Sequence, residues 1–263
     1  MNIKFTYHLF LLYFLTSSLA YSQNKQLRAY TLEDGLPQSQ VYALSQDEKG
    51  YLWLGTQGGG LARFDGKDFK VYNESNGVAS NYIQAIKAAN DTLFIGTKKG
   101  LTIKIKDQFY NMNGPQVNDI LRFKNTVFLL TNKGLYTITN NESISQVKLK
   151  TELDNAELLD MVFDGNHYWI ATNNGLWKLS DLKNDAVTLI QLDFGNYTSL
   201  TLFESKLFAS TFSSGTLVID HQNFEDADLI RSPSRINNTS IQNGNQLWIA
   251  TDNNGIAVSL AVA

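Results

Sequence analysis

One pattern returns along this chain at almost constant spacing. It is a short run of large apolar residues, a threonine, a turn of two or three residues, and a glycine that opens another apolar run. The copies lie at residues 51–57 (YLWLGTQ), 93–98 (LFIGTK), 127–132 (VFLLTN), 168–173 (YWIATN), 207–212 (LFASTF) and 247–252 (LWIATD). Their threonines, Thr56, Thr97, Thr131, Thr172, Thr211 and Thr251, are 41, 34, 41, 39 and 40 residues apart. The following glycines are Gly60, Gly100, Gly134, Gly175, Gly215 and Gly255. A period near 40 with strand character predicts an all-β chain, a β-propeller with one four-stranded blade per repeat. Aromatic residues make up 12% of the chain against 3 prolines, which suits pleated, half-buried strands.

The rest of each unit fits the same plan. An apolar residue stands 10 to 12 positions before each threonine: Leu44, Ile86, Ile120, Met161, Leu200 and Ile241. These are expected on the innermost strands. Turn-forming residues follow, at 47–50 (DEKG), 90–91 (ND), 164–166 (DGN) and 243–245 (NGN); Asn-Gly and Asp-Gly tolerate the positive φ of tight hairpins. An aromatic occupies one slot in every second strand, Trp53, Phe94, Phe128, Trp169, Phe208 and Trp248, as packing of unit on unit requires. The threonines, glycines and aromatics therefore read as architecture. Fourth strands are expected at 69–72, 143–149 and 187–192. Blade cores fall near 40–72, 81–110, 116–150, 156–192, 197–231 and 235–263 of a single domain, 23–263. Residues 27–36 (LRAYTLEDGL) resemble the fourth strand of the first unit and its exit turn. The strand at 27–31 is thus expected to complete the sixth blade and close a six-bladed ring, or to pair with a later blade of a seven-bladed ring if the chain is a fragment.

Residues 1–22 read as an export signal. Lys4 provides the positive region, 9–15 (LFLLYFL) the apolar core, and 18–20 (SLA) the small-residue cleavage site. The apolar run is short for a bilayer span. Export places the mature chain in the periplasm or on the surface of a Gram-negative-type bacterium. Cysteine is absent, which excludes disulfides and thiol chemistry. The 22 basic and 25 acidic residues are well mixed, so no basic stripe marks a nucleic-acid surface.

No catalytic or metal constellation accompanies the repeat, and no cofactor is implied. His167 and His221 stand at different points of the unit with no ligand spacing. Residues 45–53 (SQDEKGYLW) resemble the Asp box of sialidase propellers, with one extra residue, yet arginine is scarce. The glycines at 58–60 join two strands rather than open a helix, so they read as a hairpin turn and not a phosphate cradle. Function on a rigid scaffold concentrates in loops. The candidate face is formed by the turns after the threonines and by the connections between units. Its candidate ligand-binding residues are Asp34, Gln38, Gln57, Asn81, Lys98, Lys99, Asn132, Asn173, Asn174, Asp252 and Asn253, a set suited to a small polar ligand or oligosaccharide. The same residue types are also turn formers.

The stretch 30–69 (YTLEDGLPQSQVYALSQDEKGYLWLGTQGGGLARFDGKDF) resembles the two-component regulator propeller repeat. The likeness rests on Asp34, Gly35, Leu36, Pro37, Val41, Asp47, Gly50, Leu52, Trp53, Gly55, Thr56, Gly60, Leu61, Arg63, Phe64, Asp65 and Gly66. Later copies keep the strand, threonine, turn and glycine and lose the flanking signatures. The resemblance implies a periplasmic sensor head whose parent chain would carry a membrane helix and a histidine kinase or DNA-binding output, often reporting on glycans. A homodimer is a candidate assembly, and contact with a membrane would arise only through a missing C-terminal part. The alternatives are a stand-alone exported binding or scaffold propeller, and a lyase or glycosidase on the same fold.

Overall fold

The computed structural model describes residues 28–139, 143–149, 152–179, 187–190, 195–220, 223–230, 237–244, 246–251 and 256–260. The export signal lies outside these residues. The chain divides into two units, Met1–Thr31 and Leu32–Ala263.

The larger unit is a β-propeller built from antiparallel sheets of consecutive strands. The first sheet contains β1 (Val41–Gln46), β2 (Leu52–Thr56), β3 (Leu61–Phe64) and β4 (Phe69–Tyr72). The second contains β5 (Ile83–Ala89), β6 (Thr92–Thr97), β7 (Gly100–Ile105) and β8 (Gln108–Asn113). The third contains β9 (Val117–Phe123), β10 (Thr126–Thr131), β11 (Gly134–Thr139) and β12 (Ser143–Gln146). The fourth contains β13 (Leu158–Phe163), β14 (Tyr168–Thr172), β15 (Gly175–Leu179) and β16 (Val187–Ile190). The fifth contains β17 (Tyr197–Phe203), β18 (Lys206–Thr211), β19 (Thr216–Asp220) and β20 (Asn223–Ile230). The sixth has three described strands, β21 (Asn237–Asn243), β22 (Gln246–Thr251) and β23 (Ile256–Leu260). Of the segment expected to complete it, Leu27 lies outside the described residues and 28–31 carry no strand.

The core is divided among the spaces between successive sheets. Trp53, Leu61 and Tyr72 of the first sheet pack on Ile83, Leu93 and Ile95 of the second. Leu101 and Met112 pack on Val117 and Leu129 of the third. The third meets the fourth through Leu130, Leu135 and Leu158, the fourth meets the fifth through Trp169, Tyr197 and Leu207, and the fifth meets the sixth through Phe208 and Leu247. Middle strands of the second to fifth sheets are therefore covered on both faces, and their sequences are nearly continuous apolar runs. Each large side chain buried this way is worth about 1.5–3 kcal/mol.

A bulge interrupts all six inner strands at the same point, between Val41 and Ala43 in β1 and between Leu158 and Asp160 in β13, for example. Ile241 lies on its inner strand as expected, but the register takes it out of the repeated slot. The apolar slot pairs with the residue after the aromatic, as in Met161↔Ile170 and Leu200↔Ala209. In the sixth sheet that partner is Ser240, which pairs with Ile249, whereas Ile241 pairs with Trp248 and is 64% exposed. Ser240 is tolerated there because Thr201 Oγ1 bonds to its carbonyl at 2.7 Å and lies 2.8 Å from its Oγ. Hydropathy favoured the neighbouring isoleucine because it does not see that bond. Leu44 holds the matching slot of β1 and is likewise exposed.

Candidate functional site

The threonine turns repeat one geometry. Thr56, Thr97, Thr131, Thr172 and Thr211 are fully buried, and each Oγ1 donates to the carbonyl of the glycine that follows, at 2.7, 2.9, 2.7, 2.8 and 2.8 Å. In four of them the hydroxyl also accepts a backbone N–H of the turn, from Lys99, Lys133, Asn174 or Ser214. The glycines hold positive φ, 86° at Gly60 and 112° at Gly100. A Cβ there would meet the Tyr72 or Met112 carbonyl oxygen at 2.3 Å, so the fourth strand leaves no room for a side chain. Thr251 is buried in the same slot, and Gly255 lies outside the described residues.

The described candidate ligand residues lie at this end of the sheets, and several make bonds within the protein. Asp34 ends an exposed 3-10 turn. Gln38 Oε1 accepts the Ser39 N–H at 2.7 Å. Gln57 Oε1 accepts the Tyr42 hydroxyl at 2.8 Å. The Asn81 carbonyl accepts Gly58 N and Gly60 N, and its Oδ1 accepts Glu74 N at 2.9 Å. Asn81 N in turn donates to Glu74 Oε1, and Glu74 pairs with Lys99 at 2.7 Å; the Lys99 bond first, then the Asn81 bond, hold its carboxyl below the ordinary glutamate range. Lys98 Nζ sits 4.2 Å from the Tyr82 ring centroid. Asn132 N donates to Gln116 O, Asn173 Nδ2 to Glu157 at 3.4 Å, and Asn174 N to Thr172. Asp252 and Asn253 lie outside the described residues. The face fastens turns to neighbouring sheets.

The inner strands hold a feature that the repeat reading passed over. The residue paired just inside the bulge is Ala43, Ala85, Asp119, Asp160, Ser199 and Thr239 in the six sheets. The signal in the sequence was an acid in a slot otherwise filled by small residues. Asp119 and Asp160 hydrogen-bond to each other across the third and fourth sheets. Asp160 Oδ1 accepts Met161 N and its Oδ2 accepts Leu200 N of the fifth sheet, both at 2.7 Å. One sheet on, Ser199 Oγ accepts Ser240 N at 3.1 Å in the same manner. Both residues are half-buried. Desolvation raises both, repulsion from Asp119 adds to the rise at Asp160, and Lys87 opposes it at Asp119.

At the opposite end, Asp47 closes the β1–β2 hairpin. Its Oδ1 accepts Lys49 N and Tyr51 N, and its Oδ2 accepts the Trp53 indole N–H at 2.8 Å. Asp164 repeats this with Asn166 N, His167 N and Trp169 Nε1, the last at 2.7 Å. Burial would raise Asp164, but these bonds outweigh it and leave the carboxyl below its ordinary value. The Asp-box likeness is therefore a turn-and-indole clasp. His167 Nδ1 lies 3.7 Å from Asp164, and His221 is outside the described residues. Among the described residues no three His, Asp or Glu side chains gather as metal ligands, and no helix is long and apolar enough to cross a membrane.

Residues 35–58, the first inner strand and the β2 turn, match the model of the family described as two component regulator propeller. A 63-residue stretch is 44% identical to histidine kinase P4 of Formosa agariphila, covering 24% of this chain and 4% of that protein. The fold is similar to an extracellular domain assigned to a hybrid two component system of B. thetaiotaomicron, with TM-score 0.68 and 17% identity over 86% of this chain and 34% of the other. It is also similar to virginiamycin B lyase of Staphylococcus aureus, with TM-score 0.66 and 14% identity over 90% of this chain and 88% of that one. This chain thus spans a small part of the signalling proteins it resembles.

Proposed function

We propose that this chain is the exported, ligand-sensing propeller of a two-component signalling system. The observation that carries the reading is the 44% identity with a histidine kinase, together with the propeller repeat at residues 35–58. The role assigned is binding rather than turnover; kinase activity would reside elsewhere in a parent receptor. A ligand acts on such a receptor only if it binds two states of the propeller with different affinity. The ligand class is polar, such as an oligosaccharide. The test is to read the coding DNA beyond the Ala263 codon and to screen the exported chain on a glycan array. A continuing frame with an apolar segment of about 20 residues and a kinase module is the expected result. A stop codon with no kinase encoded alongside would sink the sensor reading and leave a stand-alone exported propeller.

A further inference from the structure

Between the first and second sheets, at the end away from the threonine turns, lies a cavity of about 500 Å³. Tyr51 and Trp53 form its aromatic wall. Arg63 enters from β3 and Lys104 from β7, so two cations face one another across the gap; Lys49 and Lys106 stand on the bordering hairpins. Lys70 lies beside Arg63 as its cross-strand partner. The guanidinium of Arg63 sits 4.3 Å from the Tyr51 ring centroid, and the Lys104 ammonium 5.5 Å from that of Trp53.

Four acids, Asp47, Glu48, Asp91 and Asp107, also line the cavity, yet among the described residues none forms an ion pair with Arg63 or Lys104. Asp47 spends both oxygens on its own hairpin and on Trp53. Arg63 Nε is buried with no hydrogen-bond partner, and none of the ion pairs among the described residues involves the guanidinium. Lys104 Nζ donates to the Lys106 carbonyl. Burial first, opposed by Asp107 and then reinforced by Arg63, Lys70 and Lys49, depresses Lys104 below the ordinary lysine value. Like charges held together beside an unused buried donor are costly without a counter-charge.

We propose that this cavity is a binding site for a small organic anion whose carboxylate or sulfate group bridges Arg63 and Lys104. The body of the ligand lies along Tyr51 and Trp53. The cavity falls within the range of about 300–1,000 Å³ typical of ligand sites, more than a bare inorganic ion fills. Arg63 supplies a planar fork suited to an oxyanion and Lys104 a point charge. This site is remote from the threonine-turn face and stands whether or not the chain signals.

The test uses the exported chain at low ionic strength, with citrate and inorganic sulfate as probes and sodium chloride of matched ionic strength as control. Titration calorimetry and thermal melting are the readouts. Citrate is expected to bind with a Kd of about 1 mM or tighter and to raise the melting temperature, with sulfate weaker because it leaves the aromatic wall bare. Arg63→Gln and Lys104→Gln should each weaken citrate at least tenfold, about 1.4 kcal/mol. Without ligand, Lys104→Gln should melt at or above the parent, since a like-charged neighbour is gone. If Arg63→Gln folds poorly through loss of its contact with Tyr51, Lys104→Gln alone carries the test. No citrate binding at 10-fold above that Kd, or citrate binding unchanged by Lys104→Gln, overturns the proposal.

Discussion

Thr172→Val removes a hydroxyl from the architecture while keeping the size and branching of the side chain. Thr172 is fully buried, its Oγ1 donating to Gly175 O at 2.8 Å and accepting Asn174 N at 3.1 Å. Each such bond contributes about 1 kcal/mol net, and a buried group left unpaired costs about 1–3 kcal/mol. Gly175 O still faces Thr172 N across the β14–β15 ladder, so the main loss falls on Asn174 N. The expected destabilisation is about 2 kcal/mol, or about 4–8 °C in melting temperature for a chain of this size. Thr172→Ser keeps both bonds and loses a buried methyl, about 1 kcal/mol; Thr172→Ala combines the losses, about 3 kcal/mol. Urea midpoints and thermal melts of the four proteins check the order Thr, Ser, Val, Ala. A Val variant as stable as the parent would show that the hydroxyl fastens nothing. A Val variant of normal stability that had lost a ligand response would turn the slot into a binding residue.

The raised carboxyls of Asp119 and Asp160 make stability pH-dependent. Folded-state values above the unfolded ones mean that the folded protein binds the extra proton, so their contribution is full below the ordinary carboxylate range and fades as pH rises through the raised values. Asp119→Asn presents an amide N–H to Asp160 at every pH, so its stability relative to the parent should grow between pH 4 and pH 8, about 1.4 kcal/mol for each pKa unit by which the pair is raised; a constant difference across urea titrations refutes the upward shift of the pair. Gly55 and Gly96 leave no space for a methyl, since a Cβ would lie 2.5 Å from Ile83 and 2.8 Å from Val117 on the next sheet. Alanine at either position should cost about 1–3 kcal/mol by overpacking, and a melt equal to the parent would show that adjacent sheets slide apart easily. The Tyr197 hydroxyl is buried without a partner, and burial pushes its pKa up to about 12. Tyr197→Phe should therefore raise stability by about 1 kcal/mol or more; a lower melting temperature would mean the hydroxyl makes a bond in solution.

Much of the architecture was legible in residues 51–64, where an apolar strand, a threonine, a turn and a glycine recur with a fixed period. Each feature is local: the threonine closes its own turn, and the glycine takes a φ its own hairpin needs. Register in the sixth inner strand was not legible, because Ser240 owes its slot to Thr201 of another sheet. The Asp119–Asp160 pair escaped for the same reason, as its members are 41 residues apart in the chain. The loop-face residues were located as a group, yet Asn81, Glu74 and Lys99 satisfy one another there, a pairing that spacing does not reveal.

The sequence by itself determined that this protein is built from repeated four-stranded units with middle strands apolar on both faces, because period and burial are written into each copy. Only the tertiary structure decided which charges would meet, since Arg63, Lys104 and the two carboxyls acquire their environments from neighbouring sheets. Electrostatics depends on distance and solvent exclusion across those gaps, and neither is a property of a residue's place in the repeat.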